Sequence, residues 1–272
     1  MNIKQFKPFY SLFIAWLVCN LCACSHNNRM DNSQDTKQDA QPLAYDLAQD
    51  SASTITTTKL MLVKVIGQNM IALDPNTSTV YTLTEYQEIQ KKLSDSKLQE
   101  HPVDLLTPGA FLEITHQSSD KTITVPEIQY VEILDAYRNL LPVYYHLITH
   151  ITSGEARLAS GISQIALDLS QALNLSQVEK QAIRLLIQTH YGIDCKLATY
   201  EELSQQQELS ADGLSYPEGL LITINVTKDE ANQFYFTIAK WHSSFKALGY
   251  NSCYACYQDV LWTYELEGGW IS

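Results

Sequence analysis

From Gly219 onward, the apolar residues of this 272-residue chain recur at every second position. Two such series are Leu220, Ile222, Ile224 and Val226, and then Phe234, Phe236 and Ile238. A period of two places neighbouring side chains on opposite faces of a β-strand. Turn residues interrupt the alternation at Asp229-Glu230-Ala231-Asn232 and again at Gln258-Asp259. The pattern therefore predicts an antiparallel meander that occupies the C-terminal part of the chain.

Helical periodicity precedes this alternation. Three amphipathic segments carry it, at residues 136–151, 163–173 and 177–191. Ser176 is a helix-capping residue, Gly192 is a helix-ending residue, and Thr199 opens one further short helix. Helices followed by a meander predict an α+β fold for residues 136–272, with the helices packed on one face of the sheet. The nearest architecture is a curved cystatin-like or NTF2-like sheet, whose other face is free to form a concave pocket.

Residues 59–135 carry the signals of strands around a single helix. Runs of β type lie at 60–66, 70–73, 79–83, 110–116 and 125–134, and Thr84 caps a helix that runs to about Leu93 between the third and fourth of them. Three strands, a helix and two strands is the order of a small Greek-key barrel of the OB type. We therefore predict an OB-like β-barrel, which serves either as a spacer or as a binding domain because a fold alone implies no ligand. The run from Pro108 to Thr115, followed by Val125-Pro126-Glu127-Ile128, resembles the last hairpin of OB-like domains in secreted Firmicutes lipoproteins.

The chain opens with the features of an export signal. Lys4 and Lys7 precede an apolar run at 9–21, which is shorter than the ~20 residues that a membrane-spanning helix needs. The run ends in Leu21-Cys22-Ala23-Cys24, which resembles the lipobox of bacterial lipoproteins. That resemblance implies a signal peptide at 1–23 and a lipid (palmitate-type) anchor on Cys24, at the extracytoplasmic face of the cell membrane. The alternative is an ordinary secretory signal with an incidental cysteine.

A polar segment and an acidic charge balance follow. Residues 24–58 are rich in Asn, Asp, Gln, Ser and Thr, so they bury too little apolar surface to offset the entropy of ordering, and we predict a flexible tether. The chain has 18 Lys and Arg against 30 Asp and Glu, a net charge of −12. Because phosphate contacts need clustered cations, this balance excludes nucleic acid as a partner. The expected membrane contact is the N-terminal lipid.

Aromatic residues crowd the end of the chain and are the best candidates for binding. We single out Trp241, Tyr254, Trp262, Tyr264 and Trp270 as ligand-binding residues. On an exposed sheet face they would form a shelf that stacks sugar rings or grips a peptide. The alternative is that these side chains form part of the core of the meander.

The cysteines leave two interpretations open. Cys253 and Cys256 have the C-x-x-C spacing, but in a strand residues three apart point to opposite faces, which disfavours a redox dithiol. An extracytoplasmic compartment permits a disulfide from Cys195 to one of the two. Three free thiols are the alternative.

His146 and His150 are one helical turn apart, a spacing at which two imidazoles share a zinc ion. Leu147 stands where a His-Glu-x-x-His helix has its general base, and no third ligand is evident beyond a guess at Glu155. Two surface or half-buried histidines are the simpler interpretation. We predict no metal, no cofactor and no catalytic residue, because no hydrolase, kinase or P-loop motif is present.

Residues in the second half of the chain also carry a family resemblance. The motifs are Ile165-Ala166-Leu167-Asp168, Thr199-Tyr200-Glu201-Glu202-Leu203, Lys240-Trp241-His242-Ser243, Trp262-Thr263-Tyr264 and Trp270-Ile271-Ser272. They resemble a domain of uncharacterised surface lipoproteins and of membrane-bound, peptidase-like sensors in gut Firmicutes. The chain departs from these relatives at Val260-Leu261, where they have Gly-Lys. The resemblance implies no activity.

These observations predict a non-enzymatic, lipid-anchored binding module of the cell envelope, with an envelope protein, a peptide or a glycan as its partner. Two alternatives stay open. One is an envelope hydrolase with its site in residues 136–272, for which His242 or His190 beside a carboxylate would be the mark. The other is a modulator of a membrane-bound protease or sensor.

Overall fold

A computed structural model of the chain describes residues 56–95, 106–116, 122–123, 127–132, 138–153, 161–259 and 261–272. All of them belong to one compact unit, Ser51–Ser272. The predicted signal peptide at 1–23, Cys24, the tether up to residue 55 and Glu155 lie outside the described residues. No described helix is long and apolar enough to cross a membrane.

The first half of the unit is a six-stranded sheet with one helix. Its elements are β1 (Thr56–Ile66), β2 (Asn69–Leu73), β3 (Val80–Leu83), α1 (Tyr86–Asp95), β4 (Phe111–His116), β5 (Thr122–Ile123) and β6 (Glu127–Glu132). Their order across the sheet is β5-β3-β2-β1-β4-β6, with every pair antiparallel except β3 and β5. The predicted helix between the third and fourth strands is confirmed. The described strands form an open sheet, so the predicted closed barrel is not seen in them.

The long first strand explains how this sheet is assembled. Residues 56–61 of β1 pair with β4, whereas the stretch beyond Met61 pairs with β2. Leu60 and Leu62 enter a core of the first sheet with Ile89 of α1, while Met61 and Val63 point to the opposite side. A run of four consecutive apolar residues is thus buried on both faces of one strand.

The described part of the second half contains the predicted meander, further strands and helices. Its elements are α2 (Leu141–Ser153), β7 (Gln164–Asp168), α3 (Gln177–Tyr191), β8 (Asp194–Leu197), α4 (Tyr200–Gln205), β9 (Gly219–Glu230), β10 (Gln233–Ser243), β11 (Lys246–Gln258) and β12 (Leu261–Ile271). The strand order is β12-β11-β10-β9-β7-β8. Strands β9 to β12 form the antiparallel meander, and β7 pairs in parallel with both β8 and β9. The α+β class is therefore confirmed, with mostly antiparallel sheets.

One predicted amphipathic segment is a strand. Residues 163–173 were expected in the helical part, but they contain β7 and a turn after it. Ile165, Ala166 and Leu167 are all buried, because β7 lies inside the sheet with both of its faces covered. A three-residue apolar run of this kind does not distinguish a buried parallel strand from a buried helix.

Local capping signals place α3 at the predicted position. The Ser176 hydroxyl accepts a hydrogen bond from the Glu179 amide, and the Glu179 carboxylate accepts one from the Ser176 amide. At the other end Gly192 adopts a φ of 67°, in the left-handed region that favours glycine. Helix α4 begins with the same box at Thr199 and Glu202. The capping boxes predicted at Ser176 and Thr199 are confirmed. The cap predicted at Thr84 is wrong, because the Thr84 hydroxyl is buried without a hydrogen-bond partner and α1 begins only at Tyr86.

The largest core joins the two sheets. Helices α2 and α3 pack on one face of the second sheet, where Tyr144 stacks on Phe234 with ring centroids 5.7 Å apart. Met61 and Val63 from β1 and Leu73 from β2 belong to the same buried cluster. The two sheets therefore share apolar packing across the helices.

Candidate functional site

The second sheet has two different faces. Phe234, Phe236 and Ile238 of β10 point to the face that α2 and α3 cover, and each is 1% exposed. We call the opposite side of β9–β12 the outer face. By strand alternation and cross-strand register it carries Thr223, Asn225, Tyr235, Thr237, Trp241, Tyr254, Thr263, Glu265 and Trp270. Aromatic, hydroxyl, amide and carboxylate groups thus share this face.

The structure divides the five predicted binding aromatics between the two faces. Trp262 lies on the helix-covered face with its ring 5.6 Å from that of Phe234, and Tyr264 lies on the same face beside His150. Trp241, Tyr254 and Trp270 lie on the outer face. One shelf containing all five residues is therefore not formed, and three of them remain together on one surface.

Trp270 packs against the backbone of β11. It is paired with Gly249, where a β-carbon would come within 2.5 Å of its indole ring. The indole Nε1–H donates a hydrogen bond to Asn251 Oδ1 at 3.2 Å, and 37% of the residue is exposed. A glycine in a strand interior marks such a close approach. One ring face is therefore fixed against the sheet while the side chain remains open to solvent.

Two further aromatic contacts extend the outer face. Tyr235 and Tyr254 are cross-strand partners with ring centroids 6.3 Å apart. A hydrogen bond with the Glu265 carboxylate raises the pKa of Tyr254. At the other end Trp241 meets Tyr200 of α4 edge-on at 5.5 Å. The outer face thus carries ordered aromatic rings along its length.

The three described cysteines are free thiols. Three strands separate β8, which holds Cys195, from β11, which holds Cys253 and Cys256. At ~4.8 Å per strand spacing the separation is roughly 19 Å, whereas a disulfide requires Cα atoms within about 7 Å. The disulfide considered from Cys195 is therefore not formed, and the alternative of free thiols describes this fold. Burial raises the pKa of the Cys195 thiol to about 12, which makes it unreactive.

A pocket of about 450 Å³ lies at the last turns of α2 and α3. We call it the histidine–tyrosine pocket, and it is lined by His146, Thr149, His150, Thr152, Ser153, His190, Tyr191 and Tyr264. Tyr145 hydrogen-bonds His190 Nδ1 at 2.8 Å, and Tyr264 hydrogen-bonds His150 Nδ1 at 3.0 Å. Thr152 hydrogen-bonds Tyr191 deeper in the pocket. The predicted pair His146 and His150 therefore meets a third histidine that the sequence did not connect with it.

Imidazole and phenol rings that form hydrogen bonds with one another determine the chemistry of this pocket. Burial lowers the pKa of His190, with Lys64 as a smaller cause, so its imidazole is mostly uncharged at neutral pH. Within the described part of the chain, no three histidine, cysteine or carboxylate groups are arranged to hold a metal ion. The residues that line the pocket include no carboxylate, and His190 is paired with a tyrosine. His242 bonds the Gly219 carbonyl through Nδ1 at 2.9 Å. Neither histidine thus shows a carboxylate partner among its described contacts.

A larger cavity of about 620 Å³ lies where the first sheet meets α3 and the β9–β10 hairpin. We call it the junction cavity, and it is lined by Met61, Phe111, Arg138, Leu140, Asn174, Ser176, Val178, Glu179, Asp229, Glu230 and Ala231. Asp229, Glu230 and Ala231 carried a turn signal in the sequence, and Ser176 and Glu179 carried a helix-capping signal. Both signals concern structure, and neither connects these residues with one another as a site.

No protein-family model matches this chain, and neither a curated protein nor a solved structure matches it.

Proposed function

We propose that this chain is a lipid-anchored, extracytoplasmic binding protein whose outer face binds a glycan of the cell envelope. The observation that carries this proposal is the position of Trp270, packed against Gly249 and open to solvent. An aromatic ring held in this way offers an apolar surface to the C–H face of a sugar at little cost in side-chain entropy.

Other positions of the outer face supply polar groups for such a site. Thr223, Asn225 and Thr237 form adjacent outer-face positions on β9 and β10, and Glu265 lies across from Tyr254 on β12. Hydroxyl, amide and carboxylate groups are the hydrogen-bond partners that sugar hydroxyls take. Planar aromatics interleaved with such groups favour a neutral polyhydroxylated ligand over an anionic one, because the chain is acidic overall.

Co-sedimentation tests the glycan proposal. The full chain in mild detergent is mixed with insoluble peptidoglycan, and soluble, uncharged N-acetylglucosamine oligomers serve as competitor. We expect Trp270→Ala to weaken binding about tenfold, equivalent to ~1.4 kcal/mol of lost stacking. Ile271→Ala is the matched control, because Ile271 is the next residue and is 83% exposed. Equal binding by both variants, or no competition by the uncharged oligomers, would contradict the proposal.

The membrane location rests on the resemblance of Leu21-Cys22-Ala23-Cys24 to a lipobox. An acidic chain has little attraction for an anionic bilayer, so the lipid on Cys24 is the proposed attachment. We expect Cys24→Ala to shift the protein out of the membrane fraction after cell lysis, while Cys22→Ala leaves it there. Retention of the Cys24 variant would overturn this part of the proposal.

We further propose that the first sheet is a member of the OB-like group and the meander with α2 and α3 is cystatin-like or NTF2-like, as in Firmicutes surface lipoproteins. Three observations support the first assignment. Strand β1 is shared between β2 and β4, α1 lies between β3 and β4, and β3 pairs in parallel with β5. The edge strands β5 and β6 are also separated by only residues 124–126. The support for the second is a meander with helices on one face.

A further inference from the structure

The junction cavity combines an apolar surface with polar groups of both signs. Met61, Phe111, Leu140 and Val178 provide the apolar side chains. Asp229, Asn174 and Arg138 provide a carboxylate, an amide and a guanidinium. The cavity lies on the helix-covered side of the second sheet, since Asp229 is the cross-strand partner of Phe234. It is therefore separate from the outer face.

Asp229 differs from the other carboxylates that line this cavity. Glu179 is engaged in the capping box with Ser176, and Glu230 is bonded to Lys228 and Gln233. The Asp229 carboxylate makes no hydrogen bond or ion pair with any described residue. Partial burial raises its pKa, although the residue remains exposed to solvent. A carboxylate that has no such bond and lies beside an apolar surface attracts an incoming cation.

Asn174 contributes a hydrogen-bond donor to the cavity, whereas the Asp229 carboxylate is an acceptor. Its Oδ1 accepts a hydrogen bond from the buried Tyr144 hydroxyl at 2.6 Å, which fixes the orientation of the amide. Its Nδ2 is buried and has no hydrogen-bond partner. Arg138 lines the same cavity as a second donor. An occupant that brings a carbonyl or carboxylate oxygen would meet this side of the cavity favourably.

We propose that the junction cavity binds an apolar amino acid, either free or as the amino-terminal residue of a peptide. The protonated amine pairs with Asp229, the carbonyl or carboxylate group faces Asn174 and Arg138, and the side chain covers Met61, Phe111, Leu140 and Val178. A volume of about 620 Å³ is sufficient for one or two residues. A simple anion fits less well, because Glu179 already occupies the N-terminus of α3 and Asp229 and Glu230 repel negative charge.

Calorimetric titration of the full chain tests the proposal with three probes. L-leucine and the dipeptide leucyl-leucine carry a free amine, whereas N-acetyl-leucine keeps the carboxylate but has no free amine. We expect at least one free-amine probe to bind, and the acetylated probe to bind at least about tenfold more weakly, because it cannot form the charged hydrogen bond with Asp229. Binding of leucine identifies a free amino acid as sufficient, and binding of the dipeptide alone identifies a peptide terminus.

Two variants in the β9–β10 hairpin test whether Asp229 is the carboxylate that binds the amine. Asp229→Asn preserves size and is expected to weaken the free-amine probe about tenfold. Glu230→Gln is the matched control, an adjacent carboxylate whose partners lie within its own hairpin, and it should leave affinity unchanged. Circular dichroism verifies that both variants fold.

Three results would overturn the proposal: no heat from either free-amine probe up to its solubility limit, equal affinity for the acetylated probe, or equal loss in the two variants. Trp270→Ala should retain leucine or dipeptide binding. The proposals for the junction cavity and for the outer face are therefore tested independently of each other.

Discussion

At the scale of single residues, Tyr144 connects the shared core to the junction cavity. Its ring stacks on Phe234 and its hydroxyl donates to Asn174, although the residue itself is fully buried. Burial raises the pKa of this phenol far above its usual value, so the hydroxyl remains a donor at every physiological pH. The orientation of Asn174 therefore depends on one buried hydrogen bond.

Removing that hydroxyl tests this dependence. We expect Tyr144→Phe to lower the free energy of unfolding by about 1–3 kcal/mol, because Asn174 Oδ1 then joins Nδ2 as a polar atom without a partner. Urea denaturation measures the change. Tyr145→Phe is the control, since the Tyr145 hydroxyl bonds His190 in a partly exposed position and its loss should cost less than about 1 kcal/mol. Similar losses in both variants would show that Asn174 finds another partner.

The sequence predicted the candidate sites less well than it predicted the helices, the strands and the fold class. Trp270 was found because aromatics are recognisable in any context, but its partner Gly249 is 21 residues away and the contact depends on cross-strand register. The junction cavity draws on six elements or loops, and Asp229 looks like an ordinary turn residue. Such groups are assembled by tertiary packing, for which a single sequence carries no local signal.

At the scale of elements, prediction succeeded where local chemistry sets the boundary. Helix α3 begins and ends at its predicted residues because Ser176, Glu179 and Gly192 act within one turn of each end. Strand β7 was wrongly assigned because its burial on both faces comes from β8, β9 and the elements that pack on them. Periodicity reports one-sided burial and is uninformative for a strand that is covered on both sides.

The two caps of α3 should contribute independently to stability. We expect Ser176→Ala to cost about 1 kcal/mol through loss of the capping hydrogen bond. Gly192→Ala should also cost about 1 kcal/mol, because a β-carbon there meets no neighbour and the left-handed φ is its only penalty. The ends are ~20 Å apart, so the double variant should lose the sum. Thermal or urea unfolding of the three variants checks this, and a markedly smaller double loss would reveal that α3 frays as a whole.

The last turns of α2 and α3 should make stability depend on pH. Burial holds the pKa of His190 below its usual value of 6.5, so the unfolded chain takes up this proton more readily than the folded chain. Stability should therefore fall as the pH drops below 6.5 toward the folded pKa, and be unaffected by this group at higher pH.

His190→Gln isolates that contribution while leaving a polar side chain beside Tyr145. We expect the variant to lose less stability than the natural protein between neutral pH and about pH 5.5. Urea denaturation at several pH values measures the difference. Parallel pH profiles would mean that His190 titrates normally in the folded chain.

At the scale of the whole molecule, the sequence predicted two folded domains, at 59–135 and 136–272. The run Leu60-Met61-Leu62-Val63 already carried a signal of two-sided burial, because no residue in it is polar. In the structure, alternate members of the run are buried in two different cores. One is the core of the first sheet, and the other is the core shared with α2 and α3. A core shared in this way favours unfolding of both sheets together.

Two leucines on the first sheet test this cooperativity. Leu73 belongs to the shared core and Leu112 to the core of the first sheet alone, and both are fully buried. We expect Leu73→Ala and Leu112→Ala each to cost about 2–5 kcal/mol and to lower the midpoint of one common transition in differential scanning calorimetry. Because Leu112 makes no contribution to the shared cluster, its variant distinguishes a single cooperative unit from two independently unfolding sheets. Independent sheets would unfold in two transitions, of which Leu112→Ala would lower only one, whereas a single cooperative unit keeps one transition in both variants.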